Sequence, residues 1–180
     1  MKPLFTIHEG EFLVGDHINR RLGRKFDVWV PTKDSGVDLL VTRKQRRGAP
    51  VGLQVKFSRG FGIRQEMARH LIATSWYTLN PDKIRTSKAD LWVFVILTLR
   101  HEEHFIVIPT RELKKRIPRG CPRVWNLYLW VLDDGSCYQV RDLGKEGELD
   151  IVQRGVRERH RDFSQWVENW KLLDEFTGKP

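Results

Sequence analysis

The sequence predicts an α/β protein with a central mixed β-sheet flanked by helices and an additional C-terminal hairpin and helix. Three observations lead to this class. The elements follow the order helix, strand, strand, strand, helix, strand, which is less regular than the alternation of a doubly wound fold. The run Leu91–Leu97 is continuously apolar, as in a strand buried on both faces. An Asp133-Asp134-Gly135 turn joins two apolar segments into a hairpin.

Apolar side chains at helical spacing predict four helices. They cover residues 7–23, 64–79, 111–116 and 159–176. The first would end near Gly23. The last carries aromatic side chains along one side, which we expect to dock on the core. A homodimer interface on that side is an alternative.

The remaining apolar segments predict strands, several of them bounded by turn residues. They are residues 25–30, 36–42, Val51–Ser58, Leu91–Leu97, 105–108 and the hairpin 124–132 with 137–140. We interpret the chain as a single domain, with a core over residues 7–108 and a C-terminal elaboration over residues 109–180.

Composition indicates the class of partner. The chain has 180 residues and a formal net charge of +9, which favours a polyanion such as nucleic acid. No apolar run approaches the roughly 20 residues of a membrane span, and residues 1–6 do not resemble a signal peptide. Cys121 and Cys137 lie in no paired-ligand spacing and are expected to be free thiols. We therefore expect a cytoplasmic protein.

In two of the predicted strands, residues 36–42 and Val51–Ser58, odd-numbered and even-numbered positions differ in polarity. The odd-numbered positions are apolar: Val37, Leu39, Val41, Leu53, Val55 and Phe57. The even-numbered positions include polar residues: Asp38, Thr42, Gln54, Lys56 and Ser58. Because successive strand residues face opposite sides, one side is core and the other is polar. A turn centred near residues 46–47 would place Asp38 across from the segment 54–56.

Glu11 joins this group by a separate argument. It precedes Val14 and Ile18 on the apolar stripe of the first helix. A carboxylate on a packing face is costly unless it is paired or bound to metal. Gly15 could let the helix approach the sheet, which would bring Glu11 near Asp38.

The series Gly10-Glu11, then Ser35-Gly36-Val37-Asp38-Leu39-Leu40-Val41, then Leu53-Gln54-Val55-Lys56 resembles the PD-(D/E)XK nuclease superfamily. It is most similar to small members that resemble archaeal Holliday-junction resolvases, restriction endonucleases and homing endonucleases. The resemblance covers residues 7–58 well and continues loosely to about residue 108. It implies a restriction-endonuclease-like core.

The resemblance also implies a function and a role for each residue. The function is that of a metal-dependent endonuclease that hydrolyses phosphodiester bonds in DNA, with Mg²⁺ as cofactor and Mn²⁺ as a substitute. Asp38 would be the central metal ligand, Glu11 would help to bind the metal, and Lys56 would be the catalytic lysine. The backbone carbonyl of Val55 would be a further ligand. Gln54 would complete the shell at a position where the family usually has Asp or Glu, although some members use glutamine there.

Basic clusters are expected to contact the nucleic-acid backbone beside the cut. The candidates are Arg20, Arg21, Arg43, Lys44, Arg46 and Arg47.

Three alternatives stay open. The first is a catalytically degenerate nucleic-acid-binding protein on a nuclease-like core. The second is a protein-interaction module that uses the aromatic C-terminal half. The third is that the site residues have ordinary structural roles, with Glu11 as a helix N-terminal acid.

Overall fold

The computed structural model describes residues 7–33, 36–45, 48–58, 65–98, 102–121, 123–155 and 158–178. Eight strands form in these ranges and divide between two sheets. They are β1 (Phe26–Trp29), β2 (Leu39–Arg43), β3 (Val51–Ser58), β4 (Leu71–Leu79), β5 (Leu91–Leu97), β6 (Glu103–Pro109), β7 (Trp125–Leu132) and β8 (Cys137–Gln139). The larger sheet has the order β1-β2-β3-β5-β6, and the smaller sheet has the order β4-β7-β8.

Short helices connect the strands. They are α1 (Glu9–His17), α2 (Gln65–Ala68), α3 (Pro81–Arg85), α4 (Thr110–Arg116), α5 (Lys145–Arg154) and α6 (Lys171–Thr177). Residues Ile18–Leu22 continue α1 as a π-helical turn, and Ser164–Trp166 form a 3₁₀ turn. Within the described ranges, none of these helices has the length and apolar character needed to cross a membrane.

The predicted α/β class with a mixed central sheet is confirmed. Strands β1, β2 and β3 are antiparallel neighbours, β5 runs parallel to β3, and β6 runs antiparallel to β5. The first six residues of β5 are buried, as its continuous apolar run predicts. The predicted hairpin is formed by β7 and β8. Cys121 and Cys137 are free, as expected.

The two sheets share one core. The Tyr77 hydroxyl in β4 donates a hydrogen bond to the carbonyl of Val95 in β5, at 2.7 Å. A smaller apolar cluster lies on the other face of the second sheet, where Met67 and Ile151 pack near Trp130. The second sheet is therefore covered on one face by the core and partly on the other by α2 and α5.

The predicted helix over residues 64–79 is wrong for most of its length. Only Gln65–Ala68 is helical among its described residues, and Leu71–Leu79 is a strand that pairs with β7. Ser75 and Leu79 satisfy a spacing of four, but Tyr77 between them is also buried while Trp76 and Thr78 are exposed. This alternation is typical of a strand.

The predicted helix over residues 159–176 is also wrong for most of its length, because only α6 and the 3₁₀ turn are helical there. Val167 instead forms a bridge with Ile106 of β6, and Glu168 adopts a φ of +50° that an α-helix does not allow. The aromatic side chains Phe163, Trp166 and Trp170 are nevertheless buried in the core, as predicted. Helix α5, in contrast, was not predicted.

Helix α1 packs closely on β3 at Gly10 and not at the predicted Gly15. A Cβ atom at Gly10 would lie 2.6 Å from the Cβ of Phe57 and 3.3 Å from a methyl group of Val55. At Gly15 a Cβ would meet nothing within 4 Å. The absence of a side chain at Gly10 thus sets the distance between α1 and the sheet.

This pair of glycines gives a matched test of the packing. Gly10→Ala should lower the free energy of unfolding by about 1–3 kcal/mol because the new methyl group clashes with β3. Gly15→Ala should raise it by up to about 1 kcal/mol, since alanine is the better helix former. Urea unfolding followed by circular dichroism measures both. Equal stabilities of the two variants would contradict the close approach at Gly10.

Candidate active site

A polar cleft opens where β2 separates from β3. The paired residues Leu39 and Leu53, and Val41 and Val51, give a register centred on residue 46, as predicted. The pairing ends at Leu39, and the preceding residue, Asp38, contacts Gln54 and Val55 through its side chain. Beyond that point no β2 residue pairs with β3, so residues 54–58 have one open side among the described strands.

The cleft has a volume of about 970 Å³. It is lined by residues from α1, from the segment before β2, from β3, from the end of β4, from α3 and the loop after it, and from β5. The lining residues include His8, Gly10, Glu11, Asp38, Gln54, Val55, Lys56, Thr78, Lys83, Ser87, Lys88 and Trp92. All four side chains predicted to form the site therefore line one cleft.

Asp38 covers the open edge of β3 with its side chain. Its Oδ2 atom accepts a hydrogen bond from the backbone N–H of Val55 at 2.7 Å, and a second, short one from Nε2 of Gln54. The carboxylate thus replaces the backbone acceptor that a longer β2 would have supplied. The Gln54 amide is oriented by this contact, since its oxygen would repel the carboxylate if it faced Asp38.

The backbone carbonyl of Val55 faces the same edge. In β3 the N–H and C=O groups of Gly52 both bond to Asp90, on the β5 side. Strand residues alternate in the edge to which their backbone groups point, so Val55 points away from β5. Its N–H confirms this direction by bonding to Asp38. The Val55 carbonyl and the Asp38 carboxylate therefore lie at one edge.

Lys56 follows on the polar face of β3, the face it shares with Gln54. Gln54 pairs with Trp92 of the parallel strand β5. The Lys56 ammonium lies 5.7 Å from the centroid of the Trp92 ring, a cation–π contact. Trp92 is itself fixed, since it is buried and its ring N–H donates to the Ser87 hydroxyl at 3.3 Å. The Lys56 side chain is half-buried and lies beside the Trp92 ring.

Glu11 lines the cleft from the first turn of α1. One of its carboxylate oxygens accepts a hydrogen bond from the backbone N–H of His8 at 3.2 Å. This is the helix-capping role of an acidic residue at that position. The close contact of Gly10 with β3 brings this turn to the cleft, so Glu11 has a structural role and also lines the site.

The donor set suits a hard divalent cation. Asp38 and Glu11 offer carboxylate oxygens, and Gln54 and Val55 offer carbonyl oxygens, which are ligands that Mg²⁺ prefers. No group of three or more His, Cys, Asp or Glu side chains suitable for a metal occurs in the described part of the chain. Mg²⁺ is commonly bound by one or two carboxylates together with water and substrate phosphate, so two carboxylates are sufficient.

The sequence did not predict that two further lysines line the cleft. Lys83 in α3 and Lys88 after it line the cleft. Ser87 and Lys88 also line a second groove of about 320 Å³, to which Arg111 and Lys114 contribute. The start of α3 has a sequence signal, because Asn80 caps the helix and a proline follows it. Nothing in the sequence, however, placed this helix beside Asp38.

The predicted nucleic-acid-binding residues lie away from the cleft where they are described. Arg20 and Arg21 line a separate pocket beside His17. In that pocket burial lowers the pKa of His17, and the nearby Glu168 opposes this shift. Arg46 and Arg47 lie outside the described residues.

Arg43 and Lys44 are tied to acidic side chains of the chain itself. Arg43 pairs with Asp174 at 2.8 Å, and Lys44 pairs with Asp27 at 3.2 Å. Neither residue lines the cleft. The lysines that line the cleft together with Asp38 are instead Lys56 of β3 and Lys83 and Lys88 of the α3 region.

Comparison with known proteins gives no relative for this chain. No family model, no curated protein and no solved structure matches it.

Substitutions at Asp38 test its part in the fold. Asp38→Ala should lower the free energy of unfolding by about 1–3 kcal/mol, because the N–H of Val55 loses its acceptor. Asp38→Asn should cost less, since an amide oxygen can still accept that hydrogen bond. Urea unfolding measures both costs, and amide hydrogen exchange at Val55 reports the edge directly. We expect the Val55 amide to exchange faster in Asp38→Ala but not in Asp38→Asn. Unchanged exchange in that variant would contradict the edge contact.

Proposed function

We propose that this protein is a Mg²⁺-dependent endonuclease of the PD-(D/E)XK type that hydrolyses phosphodiester bonds in DNA. One observation carries the proposal. The Asp38 carboxylate contacts Gln54 at an open strand edge, with Lys56 on the same face of β3 and Glu11 lining the same cleft. Acid, amide and ammonium groups that line one cleft offer metal ligands and a cation to a bound phosphate.

Each group has a role in this proposal. Asp38, Glu11, Gln54 and the Val55 carbonyl would hold the cation. Bound Mg²⁺ supplies polarisation of the phosphate and a lower pKa for an attacking water. Lys56 positions that water or offsets the negative charge that develops on the phosphate, and the Trp92 ring holds its ammonium in place.

The sheet topology is consistent with a restriction-endonuclease-like core. The resemblance covers residues 7–58, and these form α1 and the antiparallel strands β1, β2 and β3 that carry the site. The connection from β3 to the parallel strand β5 departs from the expected long helix. It contains β4 of the second sheet in place of that helix.

Basic residues beside the cleft support a nucleic-acid substrate. Lys83 and Lys88 line the same cleft as Asp38. The second groove begins at Lys88 and continues with Arg111 and Lys114. A polyanionic strand could therefore leave the cleft along a series of cations, each of which would release counterions on binding. The net charge of +9 agrees with such a partner.

Cleavage of a substrate panel tests the reaction. Duplex, single-stranded and branched DNA, with RNA alongside, would be incubated with Mg²⁺ or Mn²⁺. We expect cleavage that EDTA abolishes and that falls by about 10²-fold or more in Asp38→Asn, since the central ligand charge is lost. Lys56→Ala should reduce cleavage by a similar factor. Lys171→Ala, outside the cleft, serves as the folded control and should cleave like the parent.

Cleavage that persists in Asp38→Asn would overturn the site assignment. Salt-dependent binding without cleavage by the parent under any metal would favour the alternative, a degenerate nucleic-acid-binding protein. Gln54, which stands where the family usually has an acid, is the specific feature that favours this alternative.

Gln54→Glu tests whether position 54 is a metal ligand. The substitution adds a negative charge to the site, so we expect half-maximal activity at a Mg²⁺ concentration several-fold lower. The control is Gln153→Glu, which adds the same charge on the exposed surface of α5. A metal requirement that is equal in both variants would exclude Gln54 from the metal shell.

Measurements of DNA affinity test whether Lys83 and Lys88 contact the substrate. The double variant Lys83→Ala with Lys88→Ala should weaken DNA binding, and the slope of log affinity against log salt should fall by about 1–2. The control double variant, Lys145→Ala with Lys171→Ala, removes the same charge outside the cleft. Equal losses of slope in the two double variants would show that only net charge matters.

A further inference from the structure

A stacked pair of aromatic rings lies on the outer face of the second sheet. Trp76 of β4 and Tyr128 of β7 are directly opposed in the antiparallel pair. Their ring centroids are 6.3 Å apart and their planes differ by 25°. Trp76 is 44 % exposed, which is unusual for the largest side chain on a strand that is otherwise well buried. The Trp76 ring, stacked on the half-buried Tyr128, is therefore open to solvent.

A guanidinium group extends this surface. The Arg141 Cζ atom lies 5.5 Å from the centroid of the Tyr128 ring. Its Nε also pairs with the exposed Asp142 at 3.4 Å. Arginine planes and aromatic rings together are typical of surfaces that stack nucleic-acid bases.

The rest of this face is closed. Thr74 and Trp130 are the next opposed pair along β4 and β7, and both are buried. Met67 of α2 and Ile151 of α5 pack with Trp130 in the smaller apolar cluster. Among the described residues, the end of this face that carries Trp76 is the open one, so a ligand would enter at that end.

The open end of the face continues into the cleft. Thr78 lies two residues after Trp76 on the same side of β4, roughly 7 Å further along the strand. Its hydroxyl donates to the side-chain carbonyl of Asn126, its opposed residue in β7, at 3.2 Å. Thr78 also lines the cleft that holds Asp38 and Lys56. A strand with its phosphate in the cleft could thus place a neighbouring base on the rings.

We propose that Trp76, Tyr128 and Arg141 form a stacking surface for unpaired bases next to the phosphate held in the cleft. The inference rests on the proposed nuclease function and specifies its substrate as DNA with single-stranded character, such as a single strand or a branched or frayed end. A continuous duplex keeps its bases stacked on each other and offers none to the rings. The cleft beyond Thr78 also offers the ammonium groups of Lys56, Lys83 and Lys88 to the phosphates of such a strand.

Binding in EDTA tests the surface without requiring cleavage. Trp76→Ala should weaken the affinity for a single-stranded oligonucleotide by roughly tenfold or more, the loss typical of one stacked base. Its affinity for a blunt duplex should not change. Trp76→Phe should keep most of the single-strand affinity, since a ring is retained. Trp29→Ala is the matched control, because Trp29 is also exposed but lies on β1.

A fluorescent base analogue gives a second readout. An oligonucleotide that contains 2-aminopurine should lose fluorescence on binding the parent protein, because stacking quenches this base. The quenching should be absent in Trp76→Ala at saturating protein and retained in Trp29→Ala. Saturation separates the loss of stacking from a loss of affinity.

The outcomes separate this proposal from the nuclease itself. If Trp76→Ala binds and quenches single strands like the parent, the stacking surface is rejected even where Asp38-dependent cleavage is present. Equal losses of affinity for single strands and for duplex in Trp76→Ala would also reject the stacking surface. Trp76-dependent single-strand binding in a protein that cleaves nothing would support the surface and reject the nuclease. A parent protein that binds no nucleic acid would reject both proposals, and the open face would then suit a protein partner.

Discussion

The contact between the Asp38 carboxylate and the N–H of Val55 is the interaction on which the site depends. It lies where β2 stops pairing with β3, and it satisfies a backbone donor that would otherwise have no partner at an open strand edge. The same position brings the carboxylate beside the Gln54 amide and the Val55 carbonyl. Several oxygen donors therefore lie together where the pairing of β2 and β3 ends.

The surrounding elements hold this edge open and line it. Gly10 allows α1 to lie against β3, which brings the first turn of that helix to the cleft. The buried Trp92 supports the ammonium of Lys56 from β5. The connection that contains β4 and α3 lines the cleft with Lys83 and Lys88 and carries Trp76, which stacks on Tyr128 of β7. In the proposed function these elements hold the phosphate and the neighbouring bases.

The sequence predicted the strand pair of the site well and its surroundings poorly, for physical reasons. Strands with one buried face alternate strictly, so parity, together with a turn centred near residues 46–47, predicted that Asp38 lies across from residues 54–56. Leu71–Leu79 was misread because Ser75 and Leu79 satisfy helical spacing while both are also buried in a strand. The turn at Glu168 and the approach of Lys88 depend on contacts between distant segments, and no local pattern encodes them. The choice of Gly10 over Gly15 for the close approach is likewise a tertiary property.

A crystal structure with Mn²⁺ and a short single-stranded DNA would show whether Asp38 and the Val55 carbonyl bind a divalent cation. We expect an anomalous difference peak within about 2.6 Å of the Asp38 carboxylate and the Val55 carbonyl, with a phosphate oxygen as a further ligand. A Mn²⁺ ion bound elsewhere, with Asp38 still engaged only by Gln54 and Val55, would contradict it.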